Sequence, residues 1–301
     1  MSKARGIHEH RVFKLGKADP KTDKRNLLFQ SVLRASAPTV PKSYDFDIAH
    51  PGIPTPMFAN DMYGDCVIAG RAHQTLRFEK IEQGSILMIK DKTVLSEYFR
   101  ESGGADSGLV VLDSLSEWRK KGWKIGKHTY KIQAYAQLAE GNHLEIRQAI
   151  YADIGIGIGV QLPLSAQKQI QTGQPWDVTS GPDAKPGSWG GHYVHVPGYN
   201  VHGPVCVTWG RKQQMTWKWF DKYCDEAYAI FDARDQFTFT CWPVIGFILE
   251  CVWPRQCRQI RPIFRLFNTY ALVVASFFIF RPPLYPQYCE RLRVDSRRPC
   301  G

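Results

Sequence analysis

A thiol in the first turn of a helix is a candidate nucleophile, and this sequence offers one. In NDMYGDCVIAGRAHQTLRFEKIEQG, Asp65 stands where an N-cap would and Cys66 follows it. First-turn N–H groups and the positive end of the helix dipole stabilise thiolate over thiol, and in such settings a Cys pKa falls to about 3.5–7.5. The sequence therefore predicts a sulfur that is already ionised at neutral pH. A thiolate attacking a carbonyl needs an imidazole within hydrogen-bond reach, as base toward the thiol and acid toward the leaving group. His192, in GSWGGHYVHVPGY, begins an alternating strand after a loop that can expose it. The two lie 126 positions apart, so tertiary structure must join them. A lone Cys is more often a small buried hydrophobe; the combination with His192 gives this one chemical weight.

The elements that must hold these residues are legible in part. Ile68, Ala72, Leu76 and, less regularly, Ile81 recur at helical spacing, and Gly84 supplies a stop. Shorter helices are expected over 94–100 and 112–121, separated by the SGGADSG loop, with a strand over 131–138 and an amphipathic helix over 143–151. IGIGIGVQLP, from Ile154, alternates as a strand whose glycines imply that something packs close against it. It lacks the GxxxxGK[ST] spacing of a phosphate loop. After the long loop TGQPWDVTSGPDAKPGSWGG, HYVHVPGY and VCVTWG read as strands bracketing residues 200–204, and WKWFDKYCDEAYAIF ends the patterned region near Asp232. Helices first and strands later argue for an α+β domain of two packed parts.

Composition bounds the partners. The 301 residues are 44% hydrophobic and 22% charged, which excludes wholesale disorder, and the formal charge is +11. That charge is uneven: residues 1–233 carry a net +5 and hold all the Lys, whereas 234–301 carry +6 from Arg alone and hold five of the eight Cys. The tail therefore reads as a stretch of different coding history, atypical and without an evolved domain of its own. Its uncharged run 266–280 falls short of the roughly 20 residues a spanning helix needs, so membrane contact by the tail is not the expectation. Residues 1–39 read as an irregular charged arm with one apolar patch, 27–29, and at this length a structural arm is expected rather than an inhibitory segment. The N-terminus shows no apolar secretory core, and the main part has only Cys66, Cys206 and Cys224, so a reducing cytoplasm is expected. No Arg/Lys cluster accompanies Trp217, Trp219 and Phe220, which argues for packing around Trp209 and against nucleic-acid binding.

From about Val40 to Asp232 the chain resembles the papain-like cysteine peptidases. VPKSYDFD looks like the opening of the mature family domain, with Phe46 in place of a Trp. The run from Asn60 to Ala69 is similar to the family's Gln-Gly-x-Cys-Gly-Ser-Cys-Trp-Ala-Phe, which puts Cys66 on the nucleophile and Asn60 on the oxyanion-hole amide. His192 to Tyr199 resembles the family's His-Ala-Val-x-x-Val-Gly-Tyr, with His192 as the base, and Trp209-Gly210 looks like the Trp-Gly of Asn-Ser-Trp-Gly. The resemblance implies a papain-like α+β domain over 40–233, with a helical half bearing Cys66, an antiparallel β half bearing His192 and a cleft between them. It implies hydrolysis of peptide or related amide bonds in a peptide or protein substrate, with no cofactor and no metal. Trp209, Gly64, Asp65 and Gly191 would line the cleft.

One departure bears on activity. Aligned on Trp209, Val207 takes the place of the orienting Asn and Thr208 that of the Ser. Valine cannot accept a hydrogen bond from imidazole. Thr208 points to the other strand face and is expected to substitute as a weak orienter only if the register slips. A catalytically impaired binding or structural protein and a cysteine amidase or acyltransferase therefore remain open beside the peptidase. Other candidates are weaker. His192 and His195 face opposite sides at strand spacing, His73 reads as a core or surface residue, and Cys251 and Cys257 lack a partnering CxxC.

Overall fold

Residues 13–32, 39–139, 141–152 and 155–232 are described in a computed structural model of the chain. The apolar run 266–280, the Cys251 and Cys257 pair and the rest of the tail lie outside the described residues. The N-terminal stretch carries one short helix, α1 (Phe29–Val32). The chain then forms β1 (Tyr44–Asp45) and turns at once into α2 (Phe46–Ala49), whose first turn is capped by Asp45 through the Asp47 N–H. The pattern reading does not identify that turn.

The helical half is built on α3 (Cys66–Gln83), flanked by α4 (Asp91–Glu101) and α5 (Val111–Lys120). Helix α3 stops where expected, with Gly84 in the left-handed region at φ 65° and its N–H on Lys80 O. It is no amphipathic surface helix, however, because every residue from Cys66 to Glu79 is buried. Its charged members survive there by pairing. Arg71 meets Glu97 at 3.0 Å and Glu101 at 2.8 Å, and Arg77 holds both oxygens of Asp47 at 2.9 and 2.7 Å. A small hairpin follows, β2 (Trp123–Ile125) and β3 (His128–Tyr130), which the pattern reading does not identify.

The β half is an antiparallel sheet. Its members are β4 (Ile132–Gln137), β5 (Gly155–Leu162), β6 (Gly190–Tyr199), β7 (Pro204–Thr208), β8 (Arg211–Gln214) and β9 (Cys224–Asp232). They lie in the order β4–β9–β5–β6–β7–β8, with β1 paired to β6. Helix α6 (His143–Tyr151) has the predicted bounds, α7 (Leu164–Gln171) is unexpected, and α8 (Trp217–Tyr223) leads into β9. The aromatic residues of this half pack as the sequence suggests: Trp176 stacks on Trp219 at 4.9 Å and meets Trp209 edge-on at 6.3 Å.

The glycines of β5 are where the two halves touch. Ile156 and Ile158 fill the sheet's own core, while Gly157 lies beneath Tyr193 of β6, whose hydroxyl would collide with any added Cβ. That ring is held from the other side by Gly70 of α3, where an added Cβ would lie 2.6 Å from it. Tyr193 is thus clamped between the helix that starts at Cys66 and the strand beside His192. Among the described residues no helix is long and apolar enough to cross a membrane.

Candidate active site

Cys66 opens α3 and Asp65 precedes it, as the sequence predicts, but Asp65 makes no side-chain cap. Its Oδ1 instead accepts from Asn60 Nδ2 at 3.0 Å, and the same Nδ2 reaches Tyr63 O at 3.1 Å. The Gly64 N–H donates to Asp106 Oδ1, 2.9 Å away, which also accepts from the Tyr98 hydroxyl. A strained backbone completes the setting. The three non-glycine residues with positive φ among the described ones, Phe58 (58°), Ala59 (65°) and Trp209 (42°), all fall in the loops bordering Asn60 and His192.

Strand β6 brings His192 to this helix end. The backbone N–H of Tyr193, the next residue, faces the Cys66 sulfur. The His192 ring lies flat on Trp209, with centroids 4.1 Å apart and planes 10° from parallel. Its Nε2 is 2.7 Å from Thr208 Oγ1, and its Nδ1 is buried without a hydrogen-bond partner among the described residues. The register slip that Thr208 needs to reach the ring is present: the pairing of β6 and β7 shifts by one residue between His195 and Gly198. His195 pairs with Val207, so those two share a sheet face. Thr208 and His192 then fall together on the other face, where the hydroxyl meets the imidazole. Val207 is buried and points away from the ring.

The least expected occupant of the site is the N-terminal arm. Residues 14–18 run through it as a strap. Lys14 N–H donates to Asn60 O (3.1 Å), Lys14 O accepts from Trp209 Nε1 (3.2 Å), and Lys17 N–H donates to Gly191 O (3.2 Å). On the opposite wall Leu109 N–H donates to Gly16 O (2.8 Å) and Ala18 N–H to Leu109 O (2.9 Å). The Gly16 N–H faces the Cys66 sulfur. Only glycine fits there, since an added Cβ would run into the Gly64 carbonyl. Gly64, Gly191 and Trp209, expected to line a cleft, thus all hold the chain's own residues. The sequence leads to the expectation of a structural arm, and no spacing or charge pattern in KLGKA announces this placement.

The strap also reverses the expected electrostatics. Cys66 is 1% exposed, and burial pushes its thiol up to about 12 despite its place on the helix end. Burial pushes His192 down to about 3. Cys66 is a thiol and His192 a neutral imidazole, not the ionised sulfur that the sequence predicts, because removal from water outweighs the first-turn dipole.

No protein-family model matches the sequence, and no curated protein sequence does. Solved structures do. The chain matches xylellain, a cysteine protease from Xylella fastidiosa, with a TM-score of 0.58 at 15% identity, over 74% of this chain and 98% of that one. It matches procathepsin B S9 from Trypanosoma congolense at 0.51 and 12% identity, over 74% and 86%. A cysteine protease from Carica candamarcensis gives 0.50 at 16% identity, over 65% and 100%. The chain has the papain-like fold.

Within this papain-like fold, Asn60 has little amide to spare. Its Nδ2 is committed to Tyr63 and Asp65, so serving an oxyanion requires that one of those bonds be released. His195 and His73 are core residues, both pushed well below the usual imidazole range by burial; His195 Nδ1 bonds Ile156 O at 2.9 Å. Glu79, Glu82 and Asp232 bring three carboxylates within 4.8 Å, but each has other partners and, among the described residues, no His or Cys joins them.

Asp65 is the group beside Cys66 with the largest consequence for pH. Burial pushes its carboxyl up to about 8, so it is mostly a neutral acid at pH 7 and spares Cys66 an adjacent negative charge. A folded pKa above the unfolded one means that its stabilising contribution is full below about pH 4 and is lost as pH rises through about 8. Asp65→Asn carries no such proton. Between pH 5 and pH 8 the variant should gain on the native chain by up to about 1.4 kcal/mol per pH unit in urea melts. Parallel stability–pH curves would remove the neutral-acid assignment.

Proposed function

We propose that this chain is a latent cysteine peptidase-like hydrolase, cleaving peptide or related amide bonds with Cys66 as nucleophile and His192 as its acid–base partner. The observation that carries this reading is the state of His192: flat against Trp209, tethered through Nε2 to Thr208, and followed by the N–H that faces the Cys66 sulfur. With the strap displaced, water returns and the helix end can again favour thiolate. Nε2–H donating to Thr208 Oγ1 leaves the Nδ1 lone pair for the thiol proton. The sulfur attacks the carbonyl carbon, and the developing oxyanion meets the Cys66 N–H and, once it lets go of the loop, Asn60 Nδ2. His192 returns the proton to the leaving amine. Water, deprotonated by His192, then cleaves the thioester. Amidase or acyl transfer would share that thioester and differ in what enters or leaves. The free thiols of Cys66, Cys206 and Cys224 support a reducing compartment, and we place the chain in the cytoplasm.

A binding protein whose strap never leaves is the second reading, favoured by the burial of the neutral pair. The two part in a chain whose strap is unseated by Gly16→Ala. Mapped iodoacetamide labelling at pH 6 should then modify Cys66, about tenfold more slowly once His192→Ala is added. Fluorogenic peptide amides should be cleaved by the first variant alone. Labelling indifferent to His192, with no cleavage of any amide, would select the binding protein.

A further inference from the structure

Lys17 is the strap residue with the most demanding surroundings. Its side chain is fully buried, with Nζ 2.8 Å from Asp225 Oδ2 and 3.3 Å from Glu226 Oε1. Gln161 Nε2 donates to the same Asp225 oxygen at 2.8 Å and fixes that carboxylate. The floor is Gly159, where an added Cβ would collide with the Lys17 stem and lie 2.6 Å from Glu226 Cγ. Glu226 is 4% exposed and faces the Tyr228 hydroxyl as well as Lys17, while Asp225 Oδ1 makes no hydrogen bond among the described residues. The pocket therefore has more acceptor capacity than one ammonium uses, enough for the several N–H groups of a guanidinium.

Its position matters as much as its charge. Gly16 lies on the Cys66 sulfur, and Lys17, the next residue, bonds Gly191 beside His192 while dropping its side chain between β5 and β9. Any chain laid along the same walls would present its own neighbouring side chain to the same two carboxylates. Emptied of Lys17, the buried Glu226 and the partly buried Asp225 repel each other and lack a counter-charge, which is unfavourable until a cation enters.

We propose that Asp225 and Glu226, above Gly159, form a specificity subsite that selects peptide chains carrying Lys or Arg next to the residue seated on Cys66. The proposal names the substrate class of the hydrolase reading and rests on it. Lys17 is the chain's own occupant of that subsite, and a basic substrate competes with it for the same carboxylates.

Two measurements test this independently. In the Gly16→Ala chain, a single lysine is walked through fluorogenic peptides matched with norleucine at every position. One position should favour lysine by about 10–100-fold in kcat/KM, and Asp225→Asn/Glu226→Gln should abolish that preference. Equal rates for lysine and norleucine at every position would overturn the subsite. The second measurement needs no turnover. Lys17→Ala in the full chain leaves a space the size of propylammonium, which should raise the melting temperature by about 2–4 °C at ten times its Kd. Propanol should not, and neither ligand should act once the two amides are added. Rescue by propanol equal to that by propylammonium would also overturn the proposal. Rescue by the cation alone, in a chain that cleaves nothing, would keep the cation pocket and remove the hydrolase.

Discussion

Replacing Gly16 by alanine is expected to raise the rate of Cys66 alkylation at pH 7 by at least about 10²-fold. Two barriers guard the sulfur in the native chain: it is sealed from reagent, and burial holds the thiol near 12, so almost none is ionised. An ordinary thiol titrates near 8.5, and return to that value alone raises the thiolate fraction at pH 7 by about 10³. Lower nucleophilicity of the more acidic thiol takes back part of the gain. The alanine methyl cannot be absorbed by a side-chain rotation, because the atom it meets is the Gly64 carbonyl and Gly64 is itself tied to Asp106. The strap must lift instead. Cys206 gives the control: it is fully buried in the β half, with its thiol pushed up by burial, and belongs to neither strap nor helix end. Mass mapping should show Cys66 modified and Cys206 spared. Equal labelling of both would mean unfolding, and an unchanged Cys66 rate in the folded variant would mean that the strap does not guard it.

This expectation rests on a contact that nothing in the sequence displays. The helix carrying Cys66 was legible because its stop is local chemistry, Gly84 in the left-handed region; Asp65 marks its start without capping it. Helix α6 was legible for the same reason: Asn142 caps it on the Glu145 N–H, and Ile146, Ala149 and Ile150 face the core. The glycines of β5 announced a close approach, though which partners approach is a tertiary matter. The alternating runs around His192 and Val207 gave the strands but not their register, and the register decides whether Val207 or Thr208 meets the imidazole. The protonation states were illegible for a different reason. Asp65 and Cys66 follow their surroundings, and those of Cys66 include a segment 50 residues upstream whose own sequence is short, polar and unpatterned.

The role of Thr208 gives the second large effect. Thr208→Val keeps the shape and removes the hydroxyl, so His192 Nε2 loses its 2.7 Å partner in a site that is 1% exposed. The imidazole then has no bond to hold its tautomer, and both ring nitrogens are left without a partner. In the opened chain kcat should fall by about 10²-fold with KM little changed, because the tether acts on proton transfer and not on substrate contacts. Thr208→Ser restores the oxygen and should recover most of the rate. Val207→Asn, which would write the family's orienting residue back into the sequence, should recover nothing in the Thr208→Val background. Position 207 shares its face with His195, not His192, and the new amide would be buried there without reaching the ring. A folded Thr208→Val chain with full kcat would show that His192 is held by its stack on Trp209 alone, and the hydroxyl would then be an incidental neighbour of the ring.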